Sequence, residues 1–344
     1  MGKISNSINR YLSDNRRFAD LFNGVCFHGK AVVHAEELSE TSQIYHGIAG
    51  TVETSGSSPD RRERTRDICK HLKGGETLHV LALENQQVID YTMPFRCMQY
   101  DVMEYEKQLD TLKEKNRLDG DLKAGAERIC GIRKTDRIAP VYTICLYHGE
   151  EAWDGPRSLK DMMDFGDVND DFREFFKDYP MHLYCLNEAD DLQVFRTELG
   201  VLFQALQYRK DRAGLKALVQ RDERYRHMDI DTLETMSVML NLPSVWKERR
   251  NYMEKNEENE EEYDMCQAIR EWAEEERSIG REEGHRIGLM EGRQAGLMEG
   301  RQSGLMESRR VIVRNMLMRG MTDEDIMAIA ECDRELIDAV RGNV

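Results

Sequence analysis

Two acidic residues, Asp67 and Glu84, flank a Lys73-Gly74-Gly75-Glu76 turn signal, with apolar and β-branched residues running away from it on both sides. This pattern predicts a β-hairpin. With the turn centred on Gly74-Gly75, Asp67 faces Ala82 and Thr65 faces Glu84. Side chains alternate along a strand, so Asp67, Glu84 and Gln86 fall on one face. Asp67 and Glu84 are then diagonal neighbours about 7–8 Å apart at Cβ. Two carboxylates at that separation can share a hard cation such as Mg²⁺, which takes oxygen ligands and keeps several waters. One such water can attack a phosphodiester. On spacing alone, an incidental acid pair on a solvated hairpin face is the favoured reading.

Around the hairpin, several motifs follow in a characteristic order. They are Arg17-Phe18-Ala19-Asp20-Leu21-Phe22-Asn23, then Arg66-Asp67-Ile68, Glu84-Asn85-Gln86, Met93-Pro94-Phe95-Arg96 with Tyr100-Asp101, and Val141 to Tyr147 running into Gly149, Trp153, Asp154, Gly155 and Pro156. In order and spacing they resemble the recombination-promoting nuclease and putative transposase family, a branch of the PD-(D/E)xK nuclease superfamily. The resemblance covers most of residues 1–225.

It implies an α/β, restriction-endonuclease-like mixed sheet flanked by helices. It further implies a Mg²⁺-dependent DNA endonuclease, with Mn²⁺ as the alternative ion, acting in recombination or mobile-element biology. Asp67 and Glu84 match the metal-binding acids, and Gln86 completes the catalytic set where the superfamily more often has lysine. Arg66 replaces the usual proline before the aspartate. Asp20, on the opening helix, is the candidate for a third carboxylate. Lys70 sits at an odd offset from Asp67, which puts it on the opposite face.

A net charge of −16 argues against a nucleic-acid partner, because phosphate binding relies on Lys and Arg. However, Glu254 to Glu283 holds thirteen acids and four bases, a net of −9, leaving −7 for the rest. Arg61, Arg62, Arg64 and Arg66 crowd the approach to the hairpin. They read either as a phosphate-positioning patch or as a charged strand edge that resists aggregation.

The eight cysteines include no Cys-x-x-Cys pair and the nine histidines no metal-ligand spacing. No apolar run approaches the ~20 residues of a membrane helix, and the first residues lack an apolar signal core. The expectation is a cytoplasmic protein with no membrane partner.

Downstream, Pro94 suits a helix first turn. Phe95, Met98, Val102, Tyr105, Leu109 and Leu112 form a stripe that should cover a sheet. Asn116 to Gly131 reads as a linker, Val141–Tyr147 and Met181–Leu186 as strands, and Phe195, Leu199, Leu202 and Leu206 as one helix face. Asp231 and Glu234 form a capping box for a short helix ending before Pro243.

The C-terminal hundred residues differ in kind and predict a mostly helical extension. Four regions result: a nuclease-like domain (1–225), a helical segment with an acidic linker (226–284), a Gly-rich eight-residue repeat (285–310) and a small helix-turn-helix-like tail (311–344). The linker reads as a solvated helix or a flexible tether. In the repeat, glycine occupies every fourth position from Gly280 to Gly304.

Each interior glycine costs a helix about 1 kcal/mol relative to alanine. Close approach of a partner helix, and so a homo-oligomer, offsets this; a frayed low-complexity helix is the alternative. In the tail, Thr322 and Asp333 cap helices whose inward positions include Ile326, Ile329, Leu336, Ile337 and Val340. The last helix carries too many acids to read base edges. Beside the nuclease expectation stands a second one, a catalytically silent scaffold or regulator working through these C-terminal helices.

Overall fold

A computed structural model describes residues 3–41, 44–47, 62–74, 77–167, 169–255 and 261–342. By packing, the chain forms two units, Met1–Trp272 and Ala273–Val344.

The first unit opens with α1 (Lys3–Leu12) and α2 (Asn15–Phe27). Asp14 caps α2 by accepting from the backbone N–H groups of Arg16 and Arg17. Strand β1 (Leu38–Glu40) follows, then a separate antiparallel ribbon of β2 (Ile44–Gly47) and β3 (Arg62–Thr65). Next come β4 (Ile68–Gly74), β5 (Thr77–Gln86), α3 (Met93–Asp119), α4 (Gly125–Cys130), β6 (Val141–Tyr147), α5 (Asp170–Phe175) and β7 (His182–Cys185). The main sheet has the order β1-β4-β5-β6-β7, antiparallel from β1 to β5 and parallel from β5 to β7. This is the expected mixed α/β sheet flanked by helices.

The predicted hairpin forms, in a different register. Cys69, not Asp67, faces Ala82, and the last pair is Gly74–Thr77, one residue later than a turn centred on Gly74-Gly75 gives. A slip of two leaves the face of every paired side chain unchanged, and the ladder ends at the Ile68–Leu83 pair, next to Asp67 and Glu84 in sequence.

The alternation sorts the sheet into two faces. Ile68, Leu81, Leu83, Ile144 and Leu146 pack with Ile8, Leu12, Phe18 and Phe22 of α1 and α2 in the larger core. Completing that core are α6 (Leu199–Gln207), α7 (Arg212–Arg221) and α8 (Ile230–Met239), then α9 (Pro243–Lys247), the ribbon of β8 (Met253–Lys255) and β9 (Glu261–Tyr263), and the start of α10 (Met265–Met318). Within the stretch read as an acidic linker, Tyr252, Tyr263, Met265, Cys266, Ala268 and Ile269 are buried in this core. The N-cap of α8 is Asp229, not Asp231: its carboxylate accepts from Thr232 N–H at 2.8 Å. The segment 116–131 is not a linker, because α3 runs to Asp119 and α4 follows.

On the opposite face, Cys145 and Tyr147 pack with Met93 and Cys97 of α3 and with Trp153. The buried side of α3 is not the predicted apolar stripe. Phe95 and Val102 are exposed, and Tyr100, Asp101 and Glu104 turn inward instead. Polar groups below the helix need partners, which overrides apolar periodicity.

In the second unit, α10 is exposed from Arg277 to Ile312. Its last turns pack with α11 (Asp323–Ala330) and α12 (Arg334–Arg341) around Val313, Ile326, Ile337 and Val340. Thr322 and Asp333 cap these helices as expected. Ile329 departs from expectation by standing exposed, since its position on α11 faces away from the Ile326–Ala330 side. Among the described residues, no helix is long and apolar enough to cross a membrane.

Candidate active site

The sheet's alternation breaks at Arg66-Asp67, where a bend separates β3 from β4. This bend sends the two neighbouring side chains to different partners. Asp67 accepts from the Asn9 side chain (2.9 Å) on α1 and from the backbone N–H of Asn85 (2.8 Å) on β5. Asn85 in turn donates its side-chain N–H to Asn9. Burial raises the Asp67 carboxyl above its usual range, against these hydrogen bonds and the charge of Arg96.

Glu84 lies near the C-terminal end of β5 at 1% exposure. Its Oε1 accepts no hydrogen bond among the described residues. Arg66 Nε stands 3.8 Å from Oε1, and Arg96 Nη2, from the first turn of α3, stands 3.8 Å from Oε2. Burial, and then the charge of Asp67, push the Glu84 carboxyl up to about 8 despite both arginines. The charge of Asp67 thus adds to burial in favouring the protonated form of Glu84.

Gln86 is half-buried, two residues further along, and its carbonyl accepts from His148 N–H at 2.9 Å. The His148 ring is buried, and desolvation, then Arg209, drive its pKa down to about 4.

The arginines expected to meet phosphate take different positions. Arg61 lies outside the described residues. Arg62 and Arg64 lie on β3, opposite Gly47 and Tyr45, where the backbone alone is described. Arg66 is fully buried, which removes it from any solvent-facing phosphate patch. It donates to Asp101 and to Thr143 Oγ1 (2.9 Å) and lies over the Tyr100 ring at 5.4 Å. Asp101 also accepts from Thr143 Oγ1 (2.6 Å) and the Tyr179 hydroxyl.

Lys70 does point away from the acid pair: it is buried over Phe18 and donates to Ser13 O (2.8 Å), Asn15 Oδ1 (2.7 Å) and Glu40. Asp20 is not a third carboxylate of this site. Both its oxygens accept from the Arg196 backbone N–H and Oδ2 also from Thr197, which fixes the approach to α6.

Asn9, Asn85, Arg96 and Tyr179 complete the surroundings. Asn85 belongs to the hairpin strand β5, whereas Asn9, Arg96 and Tyr179 converge from α1, α3 and the segment before β7, with no fixed spacing relative to the hairpin.

Residues 69–221 match the family model described as "Putative transposase, YhgA-like". No curated protein and no solved structure matches the chain. The YhgA-like segment contains Glu84, Gln86, Arg96, Asp101 and Tyr179; Asp67 stands two residues before its start, and the opening helix lies outside it.

The donor set fits a hard divalent cation. Among the described residues no cluster of three or more acidic, His or Cys groups occurs. Mg²⁺ commonly takes only one or two protein carboxylates, with water and substrate phosphate oxygens filling the other positions. Asp67 and Glu84 would supply two such carboxylates, and among the described residues the buried Glu84 Oε1 accepts no hydrogen bond.

Proposed function

We propose that this protein is a Mg²⁺-dependent DNA endonuclease associated with recombination or mobile elements, with Mn²⁺ able to replace Mg²⁺. The observation that carries this reading is Glu84, a buried carboxylate with an open oxygen, held beside a second acid at the end of a sheet strand. Desolvating two neighbouring carboxylates is unfavourable, and a cation between them reverses the sign of that interaction.

Asp67 and Glu84 would hold the ion. When bound, it supplies Lewis-acid stabilisation of phosphate charge and a more acidic water. Asn9 and the Asn85 backbone N–H fix the orientation of Asp67. Arg66 and Arg96 hold Glu84 from two sides and so limit its movement as it gives up its proton. Gln86 hydrogen-bonds and orients the attacking water but brings no charge to the phosphate.

Gln86 in the position more often held by lysine, and the two arginines already facing Glu84, favour a second reading: a nuclease fold that has lost catalysis and acts as a scaffold through its C-terminal helices. Mn²⁺ binding, measured by electron paramagnetic resonance, separates the two. The nuclease reading expects stoichiometric binding that Glu84→Gln and Asp67→Asn each weaken at least tenfold. Wild-type protein that leaves Mn²⁺ free at millimolar concentration would support the scaffold.

A further inference from the structure

The exposed part of α10 has a symmetry that its own unit does not use. Leu289, Leu297 and Leu305 are 62%, 67% and 58% exposed, with Met290, Met298 and Met306 beside them. At every glycine from Gly280 to Gly304 an added Cβ would meet nothing within 4 Å. A long helix rich in glycine and open on all sides has little to hold it in water.

Its charges are arranged about one residue, Gly292. Residues 274–291 carry six acids and three arginines, net −3; residues 293–310 carry four arginines and two acids, net +2. Laid antiparallel about Gly292, two copies of this helix bring to equal height every pair of residues equidistant from it. Glu291 then meets Arg293, Glu283 meets Arg301, Arg277 meets Glu307 and Glu274 meets Arg310. No like charges share a height anywhere from 274 to 310. The apolar residues match too: Ile287 with Leu297, Ile279 with Leu305, and Leu289 with Ala295. Gly288 meets Gly296 across the central Gly292. In parallel alignment the same helix would set each acidic half against its own copy.

We propose that a second copy of this chain docks on α10 antiparallel, with the two-fold axis at Gly292. Glycines at 288, 292 and 296 leave no side chain between the two backbones at the two-fold axis, so nearly aligned helices can approach closely there. The exposed leucines and methionines flank that approach. The oppositely charged halves then select the antiparallel orientation over the parallel one. Because the interface is isologous, it closes as a dimer rather than growing into a fibre.

The test uses the full chain with Cys26, Cys130 and Cys332 replaced by Ser, so that surface thiols do not interfere. Light scattering should give a dimer at micromolar concentration. Under mild oxidation Gly292→Cys should cross-link to itself, and Gly288→Cys alone should not. A mixture of Gly288→Cys and Gly296→Cys chains should cross-link to each other. Glu291→Arg should weaken the dimer at least tenfold, and adding Arg293→Glu should restore it, with circular dichroism confirming that each variant remains helical. A monomer at tens of micromolar would overturn the proposal. So would Gly288→Cys self-linking as readily as Gly292→Cys, which marks a parallel pair.

Discussion

Arg66 and Asp101 are bound to each other inside the protein, under α3, while the same guanidinium lies 3.8 Å from Glu84. One buried cation thus serves two buried acids. Thr143 and Tyr179 hold the outer acid in place, so the position of Glu84 depends on a network reaching from the β4 bend to the segment before β7.

Arg66→Met should therefore act on stability before it acts on DNA. Removing one partner of a buried ion pair typically costs about 3–5 kcal/mol. Urea unfolding should show a loss of that size, with salt-dependent DNA affinity changed little in any variant that still folds. A variant of full stability with weakened DNA binding would mean that Arg66 meets phosphate directly.

The raised Glu84 pKa predicts a pH-dependent stability whose sign is opposite to that of an ordinary ion-paired acid. The folded state keeps the proton up to about 8, while the unfolded chain releases it in the normal carboxylate range near 4.5. Between these limits the native state binds more protons, so stability falls as pH rises, by at most about 1.4 kcal/mol per unit from this group. Thermal unfolding of metal-free protein from pH 5 to 8 should show the decline. Glu84→Gln should flatten it, and added Mg²⁺ should restore stability at pH 8. An unchanged slope in Glu84→Gln would place the proton elsewhere.

Lys70→Met is the control at a buried cation that has no contact with the acid pair among those described. Lys70 ties β4 to Ser13, Asn15 and Glu40, so its loss should destabilise by about 1–3 kcal/mol, the cost of stranding those acceptors. Mn²⁺ affinity should stay within twofold of wild type. A tenfold drop in affinity would show that Lys70 reaches the acid pair.

Gln86→Lys tests whether the site lacks a charge. If it does, single-turnover DNA cleavage should rise several-fold, with substrate affinity little altered. A fall in rate would mean that the neutral carboxamide is needed to orient water, or that lysine pairs with Glu84 and displaces the cation.

The elements of the sheet were readable from local sequence, whereas the partners of the site were not. Val141–Tyr147 is rich in β-branched, aromatic and apolar residues and forms β6 with those bounds. The hairpin announced itself through its glycines, although the two-residue slip depended on where the turn settled, and glycine pairs permit more than one placement. The buried side of α3 departs from the apolar stripe because Asp101 points inward to pair with Arg66 and Glu104 is buried beside Lys107 of its own helix, a requirement that periodicity cannot express. Arg66 looked like one of several surface arginines for the same reason: the bend at residues 66–67 reverses its direction, and nothing in the neighbouring residue types signals that bend. Asp67 and Glu84 could be paired through the hairpin, but Asn9, Arg96 and Tyr179 reach the site from distant segments and only the folded chain brings them in.

The most direct test of the account is nicking of supercoiled plasmid by the purified full chain at low salt, with Mg²⁺ or Mn²⁺, beside Asp67→Ala and Glu84→Ala. Low salt retains weak phosphate contacts. The account predicts metal-dependent nicking by the wild type and at least a hundredfold loss in each variant, both variants retaining wild-type circular dichroism. Nicking that persists in both variants, or that needs no metal, would contradict it.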